Sequence, residues 1–292
     1  MVIKSRRTKT VDWIIAAVCF VIILICLLPM LNILARSLSS PQAIINRRVY
    51  FWPTEFTLDS YIYVFRDPAF SWSMIWTVIL TAICTVVSMV MTILCAFPLT
   101  YDNLKGRKWL NTLIILTMFF NAGIIPNYLL MNSLGLIDNP MVLIFPNCLS
   151  VFNMIIMRSF FWGIPESLKE SAEIDGANPF RILWSIYLPM STSVLATLSL
   201  FYAVGRWNGF SDALMFMTNP KWAPVQLKLY QVVNNLSSIE VQQAEGVQAG
   251  APVASEGMKA AAVMFATVPI LALYPKLQKY FISGVTIGAV KG

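Results

Sequence analysis

The stretch Glu170-Ser-Ala-Glu-Ile-Asp-Gly-Ala177, with Leu188-Pro189 shortly after it, sets the pattern for the whole chain. It is polar, and most of its residues favour helix. Hydrophobic stretches lie before and after it, and each is long enough to cross a bilayer, which takes about 20 residues. A membrane protein does not need a charged helix and a glycine turn between two spans. We therefore predict that this segment is presented to a partner in the cytosol.

Composition places most of the chain in lipid. Hydrophobic residues make up 58% of the chain and charged residues 12%, and the mean hydropathy is +0.69. Soluble domains carry about 45–50% apolar and about 25% charged residues, so a soluble core cannot absorb this much apolar side chain. The chain has no histidine, and its five cysteines lie in apolar runs. We therefore predict no bound cofactor, no metal site and no His-based catalysis.

Hydrophobic length predicts an all-α polytopic membrane protein with six transmembrane helices. The six stretches are 13–35, 71–98, 109–134, 140–162, 190–217 and 259–281. Helix-breaking residues interrupt the third and fourth, namely Asn121, Gly123, Pro126, Pro146 and Asn147. Such breaks are tolerated in a membrane where neighbouring helices or a cavity satisfy the freed backbone groups.

The distribution of basic residues predicts the orientation. With six spans both termini share a side, and that side carries thirteen of the 21 Lys and Arg residues. Because loops rich in Lys and Arg stay in the cytoplasm, both termini are predicted to be cytoplasmic. The formal net charge of +7 is then explained by topology. No nucleic-acid partner is needed to account for it.

The spans divide the chain into five parts. They are a cytoplasmic N-terminus (1–12), a first transmembrane helix (13–35), an outer loop (36–70), a core of five helices (71–282) and a cytoplasmic tail (283–292). The core contains a cytoplasmic loop, 164–189, and a second outer loop, 218–258. Loops of this length are commonly functional or disordered. For both outer loops a solvated connector and a partner contact remain open.

The cytoplasmic loop has the signals of two helices separated by a tight turn. Pro165 and Glu166 favour a helix start, and that helix is predicted to run to Ile174. Gly176 suits the left-handed conformation that ends helices, and Asn178-Pro179 opens a second helix that extends to Leu188. An amphipathic connector on the membrane surface is one interpretation. The polar first helix and the rigid turn favour docking into a groove on a partner instead.

Eight residues of this loop resemble the EAA loop of ABC importer permeases. They are Glu170, Ser171, Ala172, Asp175, Gly176, Ala177, Leu188 and Pro189. The departure from the usual pattern is Ser171, where alanine is usual. Phe201 to Asn208 and Gln278 to Gly292 are similar to the MalG-like, carbohydrate-uptake branch of these permeases. That branch handles polysaccharide-derived oligosaccharides such as alginate or pectin fragments.

The resemblance implies a type I ABC importer permease fold and a set of partners. It implies a heterodimer with a second homologous permease subunit, two ATPase subunits that grip the coupling loops, and an extracytoplasmic solute-binding protein. The outer loop 218–258 resembles the segment that reaches toward that binding protein. The sequence contains no G-x-x-x-x-G-K-[ST] phosphate loop, so ATP and Mg are assigned to the ATPase subunits and this chain is not an enzyme. The implied location is the bacterial cytoplasmic (inner) membrane.

The fifth span holds the candidate substrate residues. A basic side chain in a span is costly and usually faces a cavity, and Arg206 has Tyr202 one helical turn before it. Together with Trp207 and Asn208 they make a candidate sugar-binding surface and mildly favour an acidic, uronate-type oligosaccharide. Alternatively Arg206 extends to the outer interface. Asparagines in other spans are further candidates, although interhelical hydrogen bonding is the more frequent role of such residues: Asn121, Asn127, Asn147 and Asn153.

Two other classes of function were weighed against an importer permease. A self-contained secondary transporter of sugars needs ion-coupling carboxylates in its spans, whereas nearly all acidic residues here lie in loops or at span ends. A membrane-embedded enzyme needs catalytic side chains, and the spans contain no histidine and no carboxylate cluster. Both alternatives are therefore disfavoured.

Overall fold

The computed structural model describes residues 6–244 and 256–272, and over these ranges the chain is built from helices joined by turns. The helices are α1 (Arg6–Ser37), α2 (Pro41–Ile45), α3 (Asp59–Arg66), α4 (Pro68–Ala96), α5 (Arg107–Phe119), α6 (Ile124–Ser133), α7 (Val151–Trp162), α8 (Glu166–Ile174), α9 (Pro179–Ile182), α10 (Leu188–Met190), α11 (Thr192–Trp207), α12 (Ser211–Phe216), α13 (Val225–Ala244) and α14 (256–272). In the described ranges the extended pairing is limited to an isolated bridge between Ser39 and Phe56. The predicted all-α class is confirmed.

Two of these helical stretches are long and apolar enough to cross a membrane by themselves. They are Val11–Ser37 and Pro68–Thr100. Two bent pairs pass the same test if each pair counts as one span: Arg107–Phe119 with Ile124–Ser133, and Pro179–Met190 with Thr192–Trp207. The described residues therefore contain between two and four apolar spans by length and composition. The count of six stays a prediction.

The predicted breaks in the third and fourth hydrophobic stretches are confirmed. Helices α5 and α6 meet at 115°, and Gly123 at the bend has φ +86°, which suits glycine because it has no Cβ. In the stretch 140–162 the α-helix begins only at Val151, after a 3₁₀ turn and an irregular segment. The fifth stretch is broken as well, between α11 and α12, which the sequence did not predict.

The chain divides into two compact units. Of the described residues, the first combines 6–71 with 229–244 and 256–268, and the second combines 72–228 with 269–272. In the first unit Arg36, at the end of α1, pairs with Glu256 of α14 at 2.7 Å. Phe265 of α14 packs against the ring of Phe65, with centroids 4.7 Å apart. The predicted outer loop 36–70 thus contains two short helices, of which α3 contacts α14 within this unit.

The second unit contains two hydrophobic clusters. One joins the end of α4 to α7, α11 and the helical segment 179–190, and its fully buried members include Met154, Met157, Phe161 and Leu198. Four rings pack edge to face in it: Phe97, Tyr101, Phe161 and Tyr187. The other cluster surrounds Leu80, Val142 and Ala213. The first cluster supports the predicted cytoplasmic loop, and the second borders the end of α11.

Several sequence predictions fall wholly or partly outside the described residues. These are the start of the N-terminal segment 1–12, the Ala- and Gln-rich part of the loop 218–258, the end of the sixth span and the tail 283–292. Within the loop 218–258, helix α13 occupies Val225–Ala244.

Candidate functional site

The first candidate site is the polar segment that begins with α8. The helix runs from Glu166 to Ile174, as the sequence predicts, and none of its residues is buried. Gly176 has φ +77°. Its amide donates to the carbonyl of Glu173 at 3.0 Å, and the amide of Ala177 donates to the carbonyl of Ala172 at 2.9 Å. These two bonds form a Schellman cap, so the predicted glycine-dependent turn is confirmed.

The second helix of this segment starts at a capped asparagine. The Asn178 side chain accepts a hydrogen bond from the Arg181 amide at 2.8 Å, and Pro179 occupies the first helical position, where a missing amide hydrogen costs nothing. The helical path continues through a π-helical stretch, Leu183–Tyr187, into α10. The predicted two-helix arrangement is thus confirmed.

Small residues and one lysine connect α8 to the body of the second unit. Ala172 and Ala177 are half-buried and pack against the hydrophobic cluster. The Lys169 ammonium lies 4.2 Å from the centroid of the Tyr101 ring. Burial, followed by the nearby carboxylate of Glu173, raises the pKa of Tyr101 to about 12, so its ring is neutral at physiological pH. The side of α8 and its turn that carries Lys169, Ala172 and Ala177 therefore contacts the body of the second unit.

The outer surface of the segment is both polar and apolar. Glu170, Ser171, Asp175 and Gly176 are exposed, as is Pro189, whereas Leu188 is half-buried against the cluster. Large apolar side chains are exposed as well, among them Ile174 at 86%, Trp184 at 75% and Phe180 at 74%. The sequence assigned them no role, because single apolar residues on a surface are common and carry no signal by themselves.

The second candidate site is a cavity of about 950 Å³ in the second unit. Its walls come from α4, α7, α11 and the turn that leads into α12. Four of the six predicted substrate residues line it: Asn153, Tyr202, Arg206 and Asn208. The other two predicted residues, Trp207 and Asn121, do not line the cavity. Trp207 is buried in the core at 5% exposure, and Asn121 lies at the bend between α5 and α6. Asn147 lines the cavity as well.

Arg206 is held by the protein itself. It is 8% exposed, and its guanidinium donates to both carboxylate oxygens of Asp212, at 2.5 and 3.0 Å. It also donates to the carbonyls of Leu143, at 3.1 Å, and Gly209, at 3.3 Å. Arg206 therefore lines the cavity, as expected for a basic side chain in a span, while its guanidinium is bonded within the protein; its role in substrate binding stays a prediction. A two-point ion pair of this kind fixes geometry as well as charge.

Asp212 was not among the site residues predicted from the sequence. It lies six positions after Arg206, in the same hydrophobic stretch, and its side chain is 17% exposed. The sequence signal for this ion pair was an acidic residue six positions after a basic one within a single hydrophobic stretch. Because the pair is formally neutral, Arg206 brings no net positive charge to the cavity. Arg206 by itself therefore gives no reason to expect an acidic sugar.

Tyr202 is also fixed by long-range contacts. Its hydroxyl lies 2.7 Å from the hydroxyl of Thr92 and accepts a hydrogen bond from the Ser150 amide at 3.1 Å. Ser150 caps α7 through its side chain, which accepts from the amide of Asn153. Tyr202 and Asn153 thus line the cavity from a rigid frame, as a preorganised binding site requires.

A family profile matches residues 1–287 of the chain, and the family is described as the binding-protein-dependent transport system inner membrane component. The chain belongs to this family. It is therefore a membrane component of a transport system rather than an enzyme, and the resemblance predicted from the coupling loop is confirmed.

Relatives with known names match over nearly their full lengths. Protein LplC of Bacillus subtilis (strain 168) is 41% identical over 268 residues, which cover 92% of this chain and 90% of the relative. The polygalacturonan/rhamnogalacturonan transport system permease protein YtcP of the same organism is 37% identical, with 98% and 100% coverage.

A solved structure has the same architecture. It is a chain of a bacterial ABC transporter involved in the import of the acidic polysaccharide alginate. The identity is 30%, the TM-score is 0.86, and the match covers 96% of this chain and 100% of the other. The predicted type I importer permease fold is thus confirmed.

Proposed function

We propose that the chain is one permease half of an ATP-driven importer that moves oligosaccharides, of the acidic uronate class, across the bacterial cytoplasmic membrane. It crosses the membrane six times with both termini in the cytoplasm, and it divides as 1–12, 13–35, 36–70, 71–282 and 283–292. A second, homologous permease subunit completes the pathway. A solute-binding protein delivers the cargo from outside, and the outer loop 218–258 faces it.

The observation that carries this proposal is the exposed, rigid turn after α8. Ile174 is 86% exposed beside a glycine cap that two backbone hydrogen bonds close, while Ala172 and Ala177 pack on the body. A shape of this kind fits a preformed groove on a partner. The partner is an ATPase subunit, which binds ATP and Mg, and the loop 164–189 transmits its movement to the spans.

The cargo passes through the cavity beside Arg206. Its volume of about 950 Å³ is in the range of small-molecule sites, which are about 300–1,000 Å³. Among the lining residues, Asn153 and Asn208 offer amide groups to a sugar, and Tyr202 offers an aromatic ring. The preference for acidic sugars is supported by YtcP and the alginate importer, whose substrates are acidic polysaccharides. With the Arg206–Asp212 pair neutral, we assign that preference mainly to the binding protein and the second permease.

The test is ATP hydrolysis by the reconstituted four-subunit complex. We expect loaded binding protein to stimulate hydrolysis with uronic oligosaccharides and not with neutral ones of equal length. Ile174→Ala is expected to lower this stimulation because it removes the side chain that enters the groove. Leu168→Ala truncates a similar side chain on the other side of α8 and serves as the control. Stimulation by neutral oligosaccharides alone would refute the cargo class, and gradient-driven uptake by the permease without ATPases would favour a secondary transporter.

A further inference from the structure

Two arginines lie against one indole where α5 begins and α7 ends. The guanidinium carbon of Arg107 lies 5.1 Å from the centroid of the Trp162 ring, and that of Arg158 lies 4.8 Å from the same centroid. The two helices pack against each other. Two like charges are thereby held close together on a shared aromatic surface.

This cluster has more positive charge than its neighbours neutralise. Arg107 pairs with Asp102, whose side chain is 77% exposed. Arg158 donates to the side-chain oxygen of Asn111, which is neutral. No ion pair joins Arg158 to a carboxylate in the ranges that the structure describes, and its buried Nε has no hydrogen-bond partner there. A surplus charge with an unsatisfied buried donor points to a missing anion.

The surroundings of the cluster indicate what kind of anion it is. Lys108 follows Arg107, and the first turn of α5 has no side-chain cap. Farther along α5 the side chains are large, apolar and exposed: Trp109 at 73%, Leu113 at 50% and Leu116 at 48%. An anion in this position therefore sits at the edge of a hydrocarbon surface. Phospholipid has that combination of chemistry, with a phosphate above acyl chains.

We propose that Arg107, Arg158 and Trp162 bind the phosphate of an anionic phospholipid from the cytoplasmic leaflet. Guanidinium groups match phosphate with paired hydrogen bonds, and tryptophan favours the level of the headgroups. Basic pockets between helices at the cytoplasmic side are suited to such headgroups. The proposal relies on the orientation given above. Because α7 ends at Trp162 and α8 begins at Glu166, the lipid braces the helix that leads into the coupling segment.

The experiment measures lipid retained by the intact complex. The complex is reconstituted in nanodiscs of phosphatidylglycerol and phosphatidylcholine, released in mild detergent and analysed by native mass spectrometry. Arg158→Gln is expected to lower bound phosphatidylglycerol about fivefold, the effect of one basic contact with an anionic headgroup. Arg107→Gln, in the loop-proximal first turn of α5, is the second variant in case the first fails to assemble. Arg181→Gln removes an exposed basic residue outside the cluster and is expected to match the wild type.

Three outcomes would overturn the proposal. Wild-type retention in both cluster variants, or equal retention of phosphatidylcholine, would show that the arginines do not select an anionic lipid. Full displacement by inorganic phosphate would assign the site to a soluble anion. Loss of bound ATPase from Arg158→Gln, with retention unchanged, would assign the arginines to subunit docking. Both leaflets of a nanodisc contain the same lipids. The lipid measurement therefore does not depend on the cargo, on the direction of transport or on how the complex is oriented.

Discussion

The turn after α8 and the wall of the cavity use charge in opposite ways. At the turn, Glu170 and Asp175 are exposed, and the segment is shaped by backbone hydrogen bonds and by the Asn178 cap. At the cavity, Arg206 is buried and Asp212 half-buried, and the two terminal nitrogens of the guanidinium donate to that carboxylate and to carbonyls of the protein. The first region keeps its side chains for a partner, whereas the second uses them to hold itself together. Removing charge should therefore affect contacts at the turn and stability at the cavity.

The largest effect is expected from Asp212→Ala. Removing the carboxylate leaves the Arg206 guanidinium buried without its counterion, and breaking a buried pair from one side typically costs about 3–5 kcal/mol. Thermal unfolding of the purified complex measures the loss. The double variant Arg206→Met, Asp212→Leu removes both charges at similar volume and should melt close to the wild type. A single variant that melts like the wild type would mean that the pair is not buried in the assembled protein.

A smaller effect, confined to coupling, is expected at the turn. Gly176 has a left-handed backbone conformation, with φ +77°. For a residue with a Cβ, this conformation is less favourable by roughly 1–2 kcal/mol. Nothing lies within 4 Å of the place where its Cβ would be, so the cost is conformational and not steric. Gly176→Val should therefore displace the cap and lower binding-protein-stimulated ATP hydrolysis, while the melting temperature of the complex stays near the wild-type value.

The matched control for the turn is Gly176→Asn, because asparagine tolerates the left-handed region better than other residues with a Cβ. It should retain most of the stimulated hydrolysis. If valine and asparagine impair coupling equally, the side chain itself obstructs the partner, and the backbone conformation is not what matters.

The smallest effect is expected at Asp138, an exposed carboxylate that accepts hydrogen bonds from two residues of the same chain, Thr218 and Asn219. The hydroxyl of Thr218, then the amides of Thr218 and Asn219, hold the pKa of Asp138 below its usual value of 3.8. Its contribution to stability is thus present above the unfolded-state pKa and is lost as the pH falls through the lower, folded-state pKa. Asp138→Asn should melt slightly below the wild type at pH 7.

Thermal unfolding of both proteins between pH 7 and pH 3 tests this sign. The gap between wild type and Asp138→Asn should close below about pH 4, because the protonated acid then resembles the amide. A gap that widens on acidification would show that the charge of Asp138 does not stabilise the fold.

Sequence patterns predicted the features that depend on neighbouring residues. The start of α8 at Glu166, the Gly176 cap and the Asn178 helix start follow from local backbone preferences, and all three are present. The bend near Gly123 follows from the same kind of rule. Local rules did not predict the break after Trp207. There the turn is stabilised by Arg206, whose guanidinium lies where a Cβ on Gly209 would be.

The sequence by itself thus determined the helical membrane class, the helix–turn–helix form of residues 166–190 and the family, because these depend on composition, length and short-range order. Only the tertiary structure decided what Arg206 and Tyr202 do. Arg206 reaches the carbonyl of Leu143, 63 positions away, and Tyr202 meets Thr92, 110 positions away. Partners at such separations come together only when helices pack, and in a low-dielectric interior the partner determines whether a charge is available to a ligand.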